Sequence, residues 1–282
     1  MKHLLIPGRY AGACRRQIGA ATLYLGDARD ILPHLPDASV NMIWTDPPYG
    51  YENAAKGDFL DRRQHIMKKG GASKLKPIAN DDAESARALI EIMLKESTRL
   101  LLPTGTVACC CGGGGPSPLF SWLVQRMDAD GLRFFHSVIW DKCNPGIGWR
   151  YRRQHEMVIV GHRADGTIGW NPDAKALANI IRIPKPNNDF HPNEKPTMLI
   201  APMLFAHTVP GDTVLDPFMG SGTTGVVAVQ QHCRFIGIES DPAYFEVACQ
   251  RLEDAQRQDR MAVQSIIQQT EIFQNSSPEL QP

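Results

Sequence analysis

No stretch of this 282-residue chain is apolar for the ~18–20 consecutive residues that a membrane-spanning helix requires. Met1–Tyr10 offers no apolar core ahead of a small-residue cleavage site, so no export signal is read there. Net charge is also missing: 30 Lys and Arg balance 30 Asp and Glu, and any contact with a polyanion must come from local basic clusters. The seven cysteines have no CxxC spacing. Three are consecutive (Cys109, Cys110, Cys111), and on a strand they would point to alternate faces, which suits neither a metal cage nor a disulfide framework. They are read as reduced, buried small residues, with no metal site. There is no internal repeat. With ordinary apolar (43%) and charged (21%) fractions, the chain fits one large α/β domain with an insertion, or two smaller domains. A cytoplasmic location is expected.

What is present is a series of short apolar runs alternating with helical patterns. Strands are expected at Thr22–Leu25, Val40–Thr45, Thr106–Cys111, Phe134–Trp140, Glu156–Gly161, Thr213–Leu215 and Arg234–Glu239. Helices are expected over Ala83–Leu102, Phe120–Asp128, Thr197–His207, Thr224–His232 and Pro242–Arg257. This alternation predicts a mostly parallel sheet with helices on both faces. The stretch 51–80 reads as a long loop, and 164–190 as an insertion of weak periodicity. Residues 1–260 are expected to form the domain, with 261–282 a frayed or disordered tail.

Two segments carry chemistry. After the run Val40–Trp44 comes Asp46-Pro47-Pro48-Tyr49, where a carboxylate, two residues without N–H donors and an aromatic ring form a rigid cup. Such a cup suits a planar group bearing an NH₂, although a Pro-rich turn without function has the same composition. Much later, Asp216-Pro217-Phe218-Met219-Gly220-Ser221-Gly222-Thr223-Thr224-Gly225 joins a strand to a helix. Its Gly-x-Gly-x-x-Gly pattern, with Glu239 ending the next strand, also fits a dinucleotide fingerprint. Asp216 would repel a pyrophosphate but attract an ammonium. The hydroxyls of Thr223 and Thr224 at the helix start could hold a carboxylate, and Glu239 a ribose diol. Together these describe S-adenosylmethionine better than NAD.

These residues resemble the DNA amino-methyltransferases of the β order, which modify adenine N6 or cytosine N4. The likeness runs from about Thr22 to Leu252. It includes Gly26-Asp27, Thr45–Gly50, Arg99–Gly105, Ile139–Lys142, His155-Glu156, His191-Pro192-Asn193-Glu194-Lys195-Pro196 and Asp216–Gly225. The catalytic motif precedes the cofactor loop, so the resemblance implies a permuted Rossmann-like fold with a seven-stranded sheet. It further implies a recognition insertion at 164–190.

By the same resemblance Asp46, Pro47, Pro48 and Tyr49 hold the target base. Asp216, Gly220, Gly222 and Thr224 line the methionine part of the cofactor, Glu239 the ribose and Asp27 the adenine edge, with Lys195 beside the methionine end; Phe218 and Thr223 are counted among the cofactor-binding residues. The activity implied is methyl transfer to adenine N6 of double-stranded DNA by base flipping, with cytosine N4 as the alternative. RNA or protein-glutamine methylation fits less well, because those families place the cofactor loop first. An NAD-dependent oxidoreductase would leave Asp46–Tyr49 without a use. Two basic clusters, Arg62, Arg63, Lys68 and Lys69 in the long loop and Arg150, Arg152 and Arg153 near Tyr151, are candidate phosphate contacts or simply solvated faces. Gly112–Gly115 and Gly146/Gly148 read either as room for a flipped base or as plain turns. Glu156 and His155 read as structural, His191 as a packing or loop residue, and Trp44 and Trp140 as core. A homodimer and a restriction endonuclease counterpart are expectations drawn from the family.

Overall fold

The computed structural model describes residues 14–50, 83–112, 119–145, 152–185 and 195–275. The expectations placed on the loop 51–80, on Gly113–Gly115, on 146–151, on His191 and on the last seven residues therefore lie outside it. In chain order the elements are β1 Cys14–Ile18, β2 Ala21–Leu25, α1 Ala28–Ile31, β3 Val40–Thr45, α2 Ala83–Leu100, β4 Leu101–Gly112, α3 Leu119–Ala129, β5 Leu132–Asp141 and β6 His155–Arg163. They continue with β7 Ile180–Arg182, α4 Thr197–His207, β8 Thr213–Asp216, α5 Thr223–Gln230, β9 Arg234–Glu239 and α6 Pro242–Asn275.

All the strands join one sheet of nine, in the order β1-β2-β9-β8-β3-β4-β6-β5-β7. The pairs β2·β9, β9·β8, β8·β3, β3·β4 and β5·β7 are parallel, and β1·β2, β4·β6 and β6·β5 antiparallel. The mixed α/β sheet with helices on both faces agrees with the sequence. Two edge strands beyond the expected seven, β1 and β7, do not announce themselves. Their patterns (CRRQI and IIR) are too polar or too short to read as buried strands.

Alternation along the strands splits the core in two. Met42, Trp44, Ala108, Cys110, Val158 and Val160 face α4, α5 and α6 through Leu199, Met203, Val227, Phe245 and Leu252. Ile43, Val107, Cys109, Cys111 and Ile159 face α1, α2 and α3 through Ile31, Ile90, Leu94 and Leu123. The consecutive cysteines thus divide between the two faces, all free and buried. Helix α2 stops at Leu100, two residues short of expectation, because Pro103 disfavours helix just before it. The chain passes straight into β4, which therefore starts earlier than the apolar run suggested. At the other end α6 continues past Arg257 to Asn275.

The position of the site follows from the connections. From β3 the chain passes through α2 to β4 on one side, and from β8 through α5 to β9 on the other; α2 and α5 cover opposite faces. Between β3 and β8 the connections part, and in open α/β sheets ligands bind in the crevice beyond the carboxyl ends at such a point. Ile43 pairs with Leu215, so Asp46 and Asp216 end neighbouring strands on that rim although they lie far apart in sequence.

Candidate active site

Five side chains from four places in the chain meet in the cup. Asp46 leaves the end of β3, and Tyr49 folds back so that its hydroxyl donates to Asp46 Oδ1 at 2.7 Å. Lys195, just ahead of α4, donates from Nζ to Asp46 Oδ2 at 2.7 Å, across 149 positions of sequence. The same ammonium lies 3.1 Å from Oε2 of Glu156, the second residue of β6. It also sits 5.3 Å from the centroid of the Tyr49 ring, a cation–π contact. Lys142, just past β5, holds Glu156 Oε1 at 3.2 Å. Register sets these neighbours: Glu156 pairs with Gly112 on β4 and with Trp140 on β5, which brings the β5 exit and the β6 entry to the rim.

The cluster brings two acidic and two basic side chains together, and their balance sets the charge states of Lys195, Glu156 and Tyr49. Burial alone would lower the Lys195 pKa, but Asp46 and Glu156 outweigh it and raise it, so the ammonium stays charged. For Glu156 burial pushes upward, yet Lys195 and Lys142 prevail and hold it below the ordinary carboxylate range. Burial, reinforced by the two carboxylates, lifts Tyr49 well above the usual phenol value, so it remains a neutral hydroxyl. Burial with the nearby Asp46 likewise keeps Cys110 a thiol, with no nucleophilic role.

At the end of β8, Asp216 is 3% exposed. Its Oδ2 accepts from the Thr224 hydroxyl at 2.6 Å and its Oδ1 from the Phe218 N–H at 3.1 Å. Both donors are neutral, and burial pushes its pKa up to about 7. A buried carboxylate without a cation among the described residues suits a ligand that brings positive charge. Glu239 accepts from the Gly220 N–H at 2.9 Å and from the Asp241 N–H at 2.8 Å, tying the loop to the end of β9. Burial raises its pKa as well. Gly220 and Gly222 have φ of +52° and +80°, a left-handed backbone that favours glycine. At Gly222 the close approach is to the protein itself, for a Cβ there would lie 2.9 Å from the Ala248 Cβ on α6. Arg251, one turn along α6, donates to the Ser221 carbonyl at 2.9 Å and to the Thr223 hydroxyl at 3.1 Å. Thr223 and Gly222 are thus anchored by α6, whereas Thr224 and Gly220 bear on the two carboxylates.

The sequence-derived residues therefore fall into two groups along one rim. Asp46, Pro47, Pro48 and Tyr49 lie at the end of β3, and Asp216, Phe218, Gly220, Gly222, Thr223, Thr224 and Glu239 at the ends of β8 and β9. Lys195, placed by the resemblance at the methionine end, bonds Asp46 of the catalytic motif. Asp27 caps α1 by accepting the Arg29 N–H at 2.8 Å and pairs with the Arg29 guanidinium, which lowers its pKa. Arg152 and Arg153 stand just before β6 at the rim, with Arg152 donating to the Pro145 carbonyl. Arg62, Arg63, Lys68, Lys69 and Arg150 lie outside the described residues. Glu156, read from sequence as structural, and Lys142, present only as part of the family likeness, have no place in the sequence-derived site. The available signal was a carboxylate opening an otherwise apolar strand, at the end of the sheet that carries the motif.

The insertion is anchored away from this rim for its first half. Thr167 and Gly169 donate to the carbonyls of Pro103 and Thr104, and Asn171 to those of Ala206, Phe205 and Thr208. These partners sit near the start of β4, level with the beginning of β3, and at the end of α4, roughly 15–20 Å from the rim at ~3.3 Å per strand residue. Only with β7 does the chain return to the rim, where Arg182 faces Asp141 at 3.4 Å and Ile183 bonds its carbonyl.

Comparison with known proteins adds the following. A family model described as DNA methylase matches residues 40–250. The type II methyltransferase M.Cfr9I of Citrobacter freundii is 29% identical over 284 aligned residues, covering 84% of this chain and 89% of that protein. The crystal structure of the M1.HpyAVI–SAM complex superposes with a TM-score of 0.59 at 25% identity, over 82% of this chain and all of the other (100%). PvuII DNA methyltransferase (cytosine-N4-specific) gives a TM-score of 0.61 at 21% identity, covering 82% and 86% of the two chains, a likeness of fold.

Proposed function

The chain belongs to the DNA methylase family of N6/N4 amino-methyltransferases, and on that premise we propose that it methylates adenine N6 at a specific site in duplex DNA. S-adenosyl-L-methionine is the methyl donor of this family, and its sulfonium supplies an electrophilic methyl group. The residues at the ends of β8 and β9 fit it. Asp216 offers a buried, unneutralised carboxylate to an ammonium, and the second lone pairs of Glu239 remain for a ribose diol.

The acceptor side follows from Asp46. An aromatic amine is a weak nucleophile, because its lone pair is delocalised into the ring. Two acceptors at the cup, the Asp46 carboxylate and a motif carbonyl, would take its two N–H groups and favour a pyramidal nitrogen with the lone pair free. This is catalysis by positioning and electrostatics. The amine is unreachable while paired, so the base must leave the duplex. The Asp46–Lys195 ion pair carries this reading: it makes the carboxylate a fixed acceptor at the mouth of the crevice.

Adenine is preferred because the motif begins with aspartate, the commoner residue for adenine in the resembled family, where serine is commoner for cytosine. Cytosine N4 is the second reading, because the matching family spans N6 and N4 amino-methyltransferases alike. Arg152 and Arg153, with Arg62, Arg63, Lys68, Lys69 and Arg150, are proposed to contact phosphates. In the insertion, the stretch Ile180–Lys185 is the part proposed to meet DNA, since it alone of the described insertion reaches the rim. A homodimer and a restriction endonuclease counterpart belong to the same proposal.

Asp46→Ala is expected to lower methyl transfer at least a thousandfold while S-adenosylhomocysteine binding by calorimetry changes less than threefold. Near-wild-type turnover in that variant would overturn the assignment. Nucleoside mass spectrometry of the methylated DNA separates N6-methyladenine from N4-methylcytosine.

A further inference from the structure

Both oxygens of Asp46 are already engaged, Oδ2 by the Lys195 ammonium and Oδ1 by the Tyr49 hydroxyl, each at 2.7 Å. Each oxygen keeps a second lone pair, but an amine donating an N–H to Asp46 shares the acceptor's charge with one of these donors unless that donor gives way. Lys195 is poorly placed to yield. It is a buried cation held jointly by Asp46 and Glu156, and drawing it off would leave charge unpaired in the interior. The Tyr49 hydroxyl is neutral, and a second acceptor stands 3.4 Å away, Oε2 of Glu156. A hydroxyl hydrogen turns about its C–O bond, so one donor can pass between two carboxylates without displacing the ring.

Glu156 is built to receive it. The β4–β6–β5 register fixes its backbone at the rim, and the ammoniums of Lys142 and Lys195 hold its two oxygens at 3.2 Å and 3.1 Å. Ionised and acceptor-only, it has a lone pair to spare on Oε2. We propose, resting on the reading of the site as a base-amine methyltransferase, that Glu156 is a positioning residue that takes over the Tyr49 hydroxyl and so leaves Asp46 Oδ1 the stronger acceptor for the target amine. Its partner in this exchange is Tyr49; Lys195 holds the two carboxylates at a fixed separation throughout. Without Glu156 the hydroxyl stays on Asp46, and the amine shares Oδ1 with it.

The test is a double-mutant cycle on the full-length protein, with Glu156→Gln, Tyr49→Phe and the double variant. Methyl transfer is measured from tritiated S-adenosylmethionine to genomic DNA from a methylase-free strain, and S-adenosylhomocysteine binding is measured by calorimetry. In the wild-type background Glu156→Gln should lower kcat ten- to hundredfold, with cofactor KM and S-adenosylhomocysteine affinity each within threefold. In the Tyr49→Phe background the same change should cost less than threefold, because no hydroxyl remains to be moved. Equal losses in both backgrounds would overturn the exchange, as would wild-type kcat in Glu156→Gln. If Glu156→Gln fails to fold, Glu156→Asp keeps the charge and withdraws the oxygen from Tyr49, and the same coupling is expected. A wild-type protein that binds S-adenosylhomocysteine yet methylates no DNA would instead refute the functional reading, and the exchange with it.

Discussion

Asp46 and Asp216 are carboxylates at the ends of adjacent strands, yet their surroundings divide the work between them. Asp46 is matched by an ammonium and keeps one edge toward the crevice, with 24% of its side chain exposed. Asp216 is sealed under the glycine loop with neutral donors, and the shift of its pKa to about 7 records the cost. The sign of the resulting pH dependence is definite. Between the unfolded value near 4 and the folded value near 7, the native state holds more protons than the unfolded one. Stability therefore falls as pH rises through that window, by up to roughly 2–4 kcal/mol from this group. Asp216→Asn should accordingly be more stable than wild type at pH 8 without ligand, and the difference should vanish toward pH 4 in denaturant titrations. The same variant should lose S-adenosylhomocysteine affinity at least tenfold at pH 8, since the carboxylate that would meet the ammonium is gone.

At the scale of elements, α6 both covers the sheet and braces the glycine loop. Ala248 and Leu252 close on Gly222, and Arg251 grips Ser221 and Thr223. Gly222→Ala would place a Cβ into Ala248 at a backbone φ of +80°. A loss of about 2–4 kcal/mol is expected from left-handed strain and overpacking, visible as a fall in Tm of roughly 5–10 °C. Ala248→Gly should recover part of it in the double variant, which a purely backbone effect would not allow. The insertion shows a related economy. Gly166 lies so near the Pro103 carbonyl that a Cβ would fall 1.9 Å from its oxygen, so this segment is fitted against the start of β4. Little of this could be seen in the sequence. The glycines of the loop announced a close approach, but whether to a ligand or to a helix depends on what packs behind them. The weak periodicity of 164–179 announced only that it was neither helix nor strand.

For the molecule as a whole, zero net charge means that affinity for a polyanion depends on where the cations sit. Arg152 and Arg153 precede β6 at the catalytic rim, whereas Arg133 lies at the start of β5, at the opposite end of the sheet. Replacing Arg152 and Arg153 with alanine should reduce the slope of log K against log salt for duplex binding by about 1–2, at ~0.9 per phosphate contact. Arg133→Ala should leave that slope unchanged in the same fluorescence titration. Among the described residues no helix is long and apolar enough to cross a membrane. The order of elements was largely legible from apolar runs. The edge strands β1 and β7 were not, because edge pairing is made by backbone groups and leaves a weak mark on side-chain pattern.

Both halves of the candidate site can be read from residue type and spacing. Asp46-Pro47-Pro48-Tyr49 and Asp216–Gly225 combine prolines without N–H donors, glycines at a helix start and a carboxylate after a strand, although the charge state of each carboxylate depends on its surroundings. How the halves meet depends on strand pairing. Parallel pairing of β3 with β8 sets Asp46 and Asp216 on one rim, and the antiparallel return of β6 brings Glu156 there as well. The tertiary structure also settled that Lys195 answers to Asp46 and Glu156, since the partner of a buried charge is fixed by which strands lie side by side.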